Sequence, residues 1–538
     1  MGVFDDARMY GRFASGLRSF LRHTLTLDEA LAIVRRRLAE REMNFVRLVR
    51  RGIFGYPRSP YLPLLQAAGC QIGDVEHMVR SAGLEGTLHA LRDAGVFVTF
   101  EEFKGRAPIV RNGRLIEVKA RDFRNPYLIS SYQAETSGST GAGARVDIDL
   151  DNLAAQASQI LIAQHAHGVA YLPTAVWRSP LPDGSGIANI LRSARFGNVP
   201  EKWFSPIADQ DLKPALRFRL ATPGIVALAR LYGRPLPSPE RVTMDQAAVV
   251  ARWAVATRKA RGGCVVRAHV SMSLRVCLAA QEEGLDLSGV TFISGGEPPT
   301  PAKVNAIMRT GAGWLPVYIS SDVGCIGAGC AQPVDGNDLH LFKDGVAVIQ
   351  SERQVPGCDT PVPAFCFTSL LPSAPTLLLN VESDDYGVIE TRRCGCPLEA
   401  CGLTEHIREI RSFNKLTGEG VTLVGSDMVR ILEEVLPARF GGSPLDYQLL
   451  EEEDDLGRTR LHLVVSPAIR IDDEAMVVET VLGALRRCTV AGDLAAAIWS
   501  QAGTLRVRRA APVWTARGKF MPFRRTDDLK MFTWRGER

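Results

Sequence analysis

The spacing of hydrophobic positions changes along the chain, and each spacing predicts a different kind of structure. Between residues 25 and 51, Leu27, Leu31, Val34 and Leu38 fall on one helical face, the pattern of an amphipathic helix. Thr26 and Glu29 stand three residues apart at its start, the spacing of a capping box. Helical spacing continues to about residue 95 and stops at the Gly-Val-Phe-Val-Thr stretch 95–99. Short apolar or β-branched runs then alternate with helical stretches, and 290–293, 315–319 and 376–381 read as strands. That alternation predicts an α/β body whose mixed or parallel sheets are covered by helices. The proline-rich stretch 355–363 reads as a surface loop. Towards the end, strands at 446–450, 461–465 and 504–508 with a helix at 473–487 predict a small α+β unit. The expected division is an N-terminal helical portion over 1–130, a core over 131–411 and a small C-terminal domain over 412–538.

Composition agrees with this picture. A chain of 538 residues is too long for one ordinary core. Its 46% hydrophobic and 23% charged residues are typical of globular proteins. No apolar run approaches membrane-spanning length, and the first thirty residues lack the pattern of a signal peptide. Eleven cysteines, an odd number, then point to reduced thiols and a cytoplasmic setting.

The net charge of +5 suggests nucleic acid until it is located. Residues 1–58 hold 12 Arg against 6 acids, while the remainder holds 52 basic and 53 acidic residues. A body so near neutrality offers no footprint for a polyanion. The basic N-terminal stretch is a solvated helical face or a surface for a membrane or partner.

Residues 135–145, Glu-Thr-Ser-Gly-Ser-Thr-Gly-Ala-Gly-Ala-Arg, bring small residues and hydroxyls together. Such a loop lets backbone N–H groups approach a phosphate while hydroxyls donate hydrogen bonds. It lacks the closing Gly-Lys-Ser/Thr of a P-loop. Composition alone leaves a flexible solvent loop equally open.

Ser137, Gly138, Ser139, Thr140 and Gly141 resemble the phosphate loop of the adenylate-forming superfamily of acyl-CoA synthetases and adenylation domains. The usual Pro-Lys continuation is replaced by Gly143 and Ala144, as in the branch resembling phenylacetate–CoA ligase. Gly295, Gly296 and Glu297 are similar to the Gly-Gly-Glu-Pro turn that lines the adenine pocket. Tyr318, Ser321 and Asp322 match the motif whose ring packs on adenine, whose hydroxyl meets the α-phosphate and whose acid holds Mg²⁺. Ile319 and Asp322 depart from the usual Gly and Glu. The resemblance further implies Asp385 on the ribose hydroxyls, Arg411 at the inter-domain hinge, and Lys519 as the catalytic lysine. An ammonium there offsets the repulsion when a carboxylate attacks a phosphoryl group.

The fold so implied is α/β: a large multi-sheet adenylation domain, an N-terminal helical portion and a small C-terminal α+β lid domain. The function implied is ATP-dependent activation of a carboxylic acid to an acyl-adenylate, releasing pyrophosphate, then acyl transfer to CoA. Alternatives are transfer to a protein thiol, as in acyl-protein synthetases, with Cys488 as the candidate carrier, or a non-catalytic nucleotide-binding relative. Trp177, Trp203 and Phe204 suggest an apolar wall for the acid.

Cys394 and Cys396, with Cys401, His406, Cys330 and His340 elsewhere, supply the thiolates and imidazoles that zinc selects. Resemblance to some phenylacetate-ligase relatives implies a structural zinc on Cys330, His340, Cys394 and Cys396, with Cys401 or His406 able to replace a member. Buried reduced cysteines are the competing reading. His165 and His167 read as structural, because a substrate carboxylate is already ionised and needs no base. Gly-x-Ser-x-Gly and His-Glu-x-x-His are absent, which removes the hydrolase and metalloprotease readings.

Overall fold

The computed structural model describes residues 3–525 except 112, 129–131, 136–144, 182, 207–215, 298, 354–360, 413–416, 419–420, 423–425, 454–458, 488–495, 497–498, 501–504 and 515–517. The phosphate-loop residues 137–141, Cys488 and most of the 355–363 loop therefore lie outside the described residues.

The capping box at Thr26 forms: its Oγ1 accepts from the Glu29 N–H at 3.2 Å, and its own N–H donates to Glu29 Oε2 at 2.8 Å. The helix it starts is shorter than the hydrophobic spacing predicts. Leu27–Ala39 ends at Glu40, Arg41–Leu48 follows, and Val49–Phe54 continues with a wider turn. Ala30 and Val34 pack against helix Leu150–Ala166, whereas Phe45, Val49 and Ile53 join a different core beneath the sheet. The break at Glu40 re-aims the apolar face from one neighbour to the other.

One mixed sheet of 12 strands forms the body among the described residues. Its parallel half runs Gly313–Ser320, Val290–Ser294, Cys264–Ala268, Thr174–Trp177, Lys202–Ser205 and Pro239–Arg241. The antiparallel half continues from Gly313–Ser320 through Gly324–Gly329, Leu339–Leu341, Glu405–Ser412, Val381–Thr391, Val362–Ser369 and Val346–Arg353. The strands expected at 290–293 and 315–319 are present. The one expected at 376–381 begins only at Val381. Leu378 and Leu379 are buried against the N-terminal helices instead. Asn380 turns the chain there with φ 49°, its side-chain amide donating to the Leu88 carbonyl at 2.8 Å and the Val96 carbonyl at 3.2 Å. An apolar run was buried, but as a docking loop.

A separate sheet pairs Leu505–Arg509, Thr459–Val465, Tyr447–Glu453 and Phe523–Arg525 in that order. Helix Glu474–Arg486, with Asp473 as N-cap, covers it around a core that includes Met428, Leu449, Val477 and Trp499. The predicted βββ/α content is found, with Phe523–Arg525 as one further strand. Leu445 and Phe520 leave this core and pack into that of the parallel sheet.

Candidate functional site

The carboxyl ends of four parallel strands, those around Trp177, Ala268, Ser294 and Ser320, converge on a cavity of about 180 Å³. In open α/β sheets this edge is where ligands bind, because the loops there are free to vary while the strands hold them. The amino end of helix Gly184–Arg195 faces the cavity, with Asp183 accepting from the Ser185 N–H at 2.8 Å. Gly295 and Gly296 form part of the wall. A Cβ on Gly295 would stand 2.1 Å from the Val317 carbonyl oxygen, and Gly296 has φ 83° with a would-be Cβ 3.0 Å from His269 Nδ1. Both positions therefore demand glycine.

Lys519 also lines the cavity, beside Gly295, Gly296 and Ser321. Gly518, with φ 76°, makes the turn that carries it. Trp514 and Phe520 bridge across that turn, and the Arg275 guanidinium lies 3.8 Å from the Trp514 ring centre. The C-terminal segment is thus clamped onto helix Val270–Glu282, which carries Arg275. Glu297 is buried and accepts from the Ser271 N–H at 3.2 Å and from its hydroxyl. Burial raises its pKa, opposed by Lys303, the Ser271 hydroxyl and Lys519. Its role here is to hold the start of that helix.

Tyr318 and Asp385, drawn from distant parts of the sequence, meet directly: the phenol donates to Asp385 Oδ2 at 2.6 Å. Phe367 packs edge-on against the Tyr318 ring with centroids 6.4 Å apart. Ser321 lines the cavity, whereas Asp322 is engaged by Lys104 at 2.8 Å. Arg411 pairs across the strands with Tyr386, one residue beyond Asp385, and its guanidinium lies 3.7 Å from Glu409 at the surface.

The apolar wall expected from Trp177, Trp203 and Phe204 is not part of the cavity. Both indoles are fully buried in the sheet, donating to the carbonyls of Val242 and Arg178. The wall instead carries Arg178, Arg192 and Arg267, all buried. Burial lowers the Arg178 pKa to about 10. For Arg267, burial and then repulsion from Arg192 and Arg178 lower it to about 9. His269, buried beside Arg178 and Lys519, is held well below its ordinary value and is neutral. The sequence did carry a signal for this wall. Arg267 interrupts an otherwise uncharged strand, Cys-Val-Val-Arg-Ala, and arginine is almost never fully buried without a reason.

In the core packed against helix Leu150–Ala166, Cys330, Cys394, His340 and His406 bring donor atoms within 4.8 Å of one another. Cys396 joins them, its Sγ 3.0 Å from His340 Nε2, with Cys394 Sγ 3.5 Å from the same nitrogen. The Cys330 thiol donates to Cys396, which raises the pKa of Cys330 and lowers that of Cys396. His340 Nδ1 lies 2.7 Å from the Leu403 carbonyl, so it carries the proton and leaves Nε2 free for a metal. Cys401 stands apart, donating to the Pro397 carbonyl at 3.2 Å. His167 Nε2 lies 2.9 Å from the Gly329 carbonyl, a satisfied structural histidine.

The sequence matches no family model and no curated protein. Solved structures do match. Over 95% of this chain and 92% of that one, the fold superposes on 2-hydroxyisobutyryl-CoA ligase in the postadenylation state, with a TM-score of 0.52 and 15% identity. The fold is that of an adenylate-forming ligase. Weaker matches include McyG A-PCP complexed with phenylalanyl-adenylate, at 12% identity and TM-score 0.42 over 85% of this chain and 73% of that one. ATP-bound MatB from Rhodopseudomonas palustris matches at 13% identity and TM-score 0.40, covering 85% of this chain and 86% of that one. Among the described residues, no helix is long and apolar enough to cross a membrane.

Proposed function

We propose that this chain activates a carboxylic acid with ATP, forming an acyl-adenylate and pyrophosphate, and then passes the acyl group to the thiol of CoA. Lys519 carries the reading. It reaches, from far along the chain, a cavity that the Gly295–Gly296 turn and Ser321 also line. An ammonium there lowers the barrier for a carboxylate approaching an α-phosphoryl group, because it neutralises charge that two anions would otherwise share. Tyr318 and Asp385 supply an aromatic face and a carboxylate for adenine and ribose. Ser321 donates to the α-phosphate, and the 137–141 loop holds the outer phosphates. Residues 412–538 act as the lid that brings Lys519 in and withdraws it for the second half-reaction.

Magnesium takes one or two carboxylates and completes its shell with substrate phosphates and water. Asp322 suits this once Lys104 yields it. Zinc suits the Cys330, His340, Cys394 and Cys396 cluster, where it closes a structural site rather than joining the chemistry. The loop that lacks its lysine resembles that of the phenylacetate–CoA ligase-like branch.

The test is acid-dependent exchange of labelled pyrophosphate into ATP across a panel of acids. Wild-type turnover that falls at least about 100-fold in Lys519→Ala, with ATP binding retained, is the expected result. Exchange that survives in Lys519→Ala removes the reading.

A further inference from the structure

Resting on the adenylation reading, we propose that the acid this chain accepts is short and carries a second carboxylate, and that Arg267 is the residue that selects it. Activating one carboxylate requires positive charge at the reacting end, and Lys519 supplies it. The cavity holds three further guanidiniums, against Asp183 as the only carboxylate among its described lining residues.

These arginines are arranged differently. Arg178 turns toward the reacting end: its Nη2 donates to the carbonyls of Ala268 at 2.8 Å and Gly295 at 3.2 Å, and its Nη1 lies 2.8 Å from His269 Nδ1. Arg192 donates to Gln156 Oε1 at 2.6 Å. Arg267 turns toward helix Gly184–Arg195, where Nη1 donates to Asn189 Oδ1 at 3.3 Å. Only 3% of Arg267 is exposed, no carboxylate among the described residues pairs with it, and its Nε has no hydrogen-bond partner there. Asp183 does not serve it: one of its oxygens accepts from the Ser185 N–H, and its charge acts on Arg178, whereas only Arg192 and Arg178 act on Arg267.

A buried guanidinium without a counter-ion is costly, and removing one partner of a buried pair is among the most damaging changes a fold can suffer. An arrangement of this kind is stable when the missing anion is a ligand. Arginine's planar fork matches a carboxylate with two parallel hydrogen bonds. A simple alkyl acid would leave Arg267 unpaired in the loaded site. Size limits the rest of the molecule. The cavity, about 180 Å³, only modestly exceeds the ~150 Å³ that admits benzene. Lys519 and Ser321 line the same cavity, so the acid shares this volume with the reacting phosphate, which favours a diacid of a few carbons over a long-chain acid.

The experiment uses the full chain and chain-length-matched pairs in pyrophosphate exchange: malonate against propionate, succinate against butyrate, glutarate against valerate. A preference of at least about 100-fold in kcat/KM for the diacid of one pair is expected, the scale set by leaving a buried polar site unpaired. Arg267→Met should reverse that preference, raising exchange with the matching monoacid, while the KM for ATP stays in the wild-type range. Arg267→Lys should recover part of the diacid preference. Monoacids used as well as diacids would overturn the proposal. So would an Arg267→Met effect that falls on ATP and leaves acid choice unaltered, since Arg267 would then serve the triphosphate. Exchange with no acid at all would remove the adenylation reading instead. The cavity is then read without ATP, by thermal shift. A larger rise in Tm with succinate or glutarate than with butyrate or valerate, lost in Arg267→Met, sustains the diacid site; no difference overturns it. Misfolding is separated by the unliganded Tm, which Arg267→Met should leave equal or raised.

Discussion

Asp322 illustrates how one contact can alter the meaning of a motif. Its position matches an acid that holds magnesium, yet its carboxylate is paired with Lys104, both side chains about a quarter exposed. Such a pair contributes at most about 1 kcal/mol, so Mg²⁺ bound with ATP can displace it. Lys104→Met should therefore lower the Mg²⁺ needed for half-maximal exchange, by at most about fivefold, the factor that 1 kcal/mol represents. Asp322→Asn should raise it. An identical Mg²⁺ dependence in wild type and Asp322→Asn would detach this acid from the metal. The glycine turn was legible because only glycine fits at 295 and 296, whereas Tyr318 and Asp385 were named by resemblance and meet in the fold through the phenol's hydrogen bond. Arg267 shows in the sequence only as a charge inside an apolar strand, and residue type alone does not tell a cavity wall from a buried ion pair.

At the scale of elements, periodicity located helices and strands well and their ends less well. The helix over 25–51 divides at Glu40 because its two halves face different cores, information that one face's spacing does not contain. Arg41, opening the second half, holds Glu85 on helix Ile72–Asp93 through two hydrogen bonds of 2.9 and 2.7 Å, with Lys343 3.3 Å away. Burial alone would raise the Glu85 pKa, but the Arg41 hydrogen bonds and charge, then Lys343, bring it down to about 2. A depressed carboxylate pKa stabilises the fold above the unfolded value near 4.3 and loses that contribution as pH falls toward 2. Glu85 is 36% exposed, which keeps the effect to about 1 kcal/mol. Urea midpoints of wild type and Glu85→Gln should differ at pH 6 and draw together only as pH falls below about 4 toward 2; a constant gap would show that the charge is irrelevant.

The cysteine cluster belongs to the same scale, since it ties the loop before Pro397–Ala400 to strand Leu339–Leu341 and the end of Gly324–Gly329. Metal analysis of the purified chain should find one zinc per chain, lost in the double variant Cys394→Ser/Cys396→Ser, with a fall in Tm that a chelator reproduces in wild type. A full-length protein free of zinc whose Tm ignores the chelator would leave the cluster as reduced core cysteines. The candidate donors came from a family resemblance, whereas setting Cys401 aside depended on a backbone carbonyl no sequence pattern displays.

Across the whole molecule, a buried ion pair joins the C-terminal unit to the layer that holds the glycine turn. Lys303 on helix Pro301–Met308 and Glu433 in Ile431–Val435 form a 2.7 Å ion pair with side chains 2% and 1% exposed, and the Thr300 hydroxyl donates to the same carboxylate. Lys303 also lowers the Glu297 pKa against burial, so one ammonium attends both the glycine turn and the unit that supplies Lys519. Removing one member of a buried pair costs roughly 3–5 kcal/mol, and Glu433→Gln should destabilise at the lower end because Glu297 remains near Lys303. Its kinetic effect should be unequal. On the proposed reading the first half-reaction needs Lys519 in place, while the second needs it withdrawn. Pyrophosphate exchange in Glu433→Gln should then fall more than thioester formation from supplied acyl-adenylate. Lys303→Met/Glu433→Leu should recover Tm, since apolar replacement of a buried pair is often neutral, without recovering the balance between the two steps if the charge pair sets the docked position. Equal losses in both steps, restored together with Tm, would reduce the pair to a stabilising contact and move control of the lid elsewhere in the interface around Leu445 and Phe520.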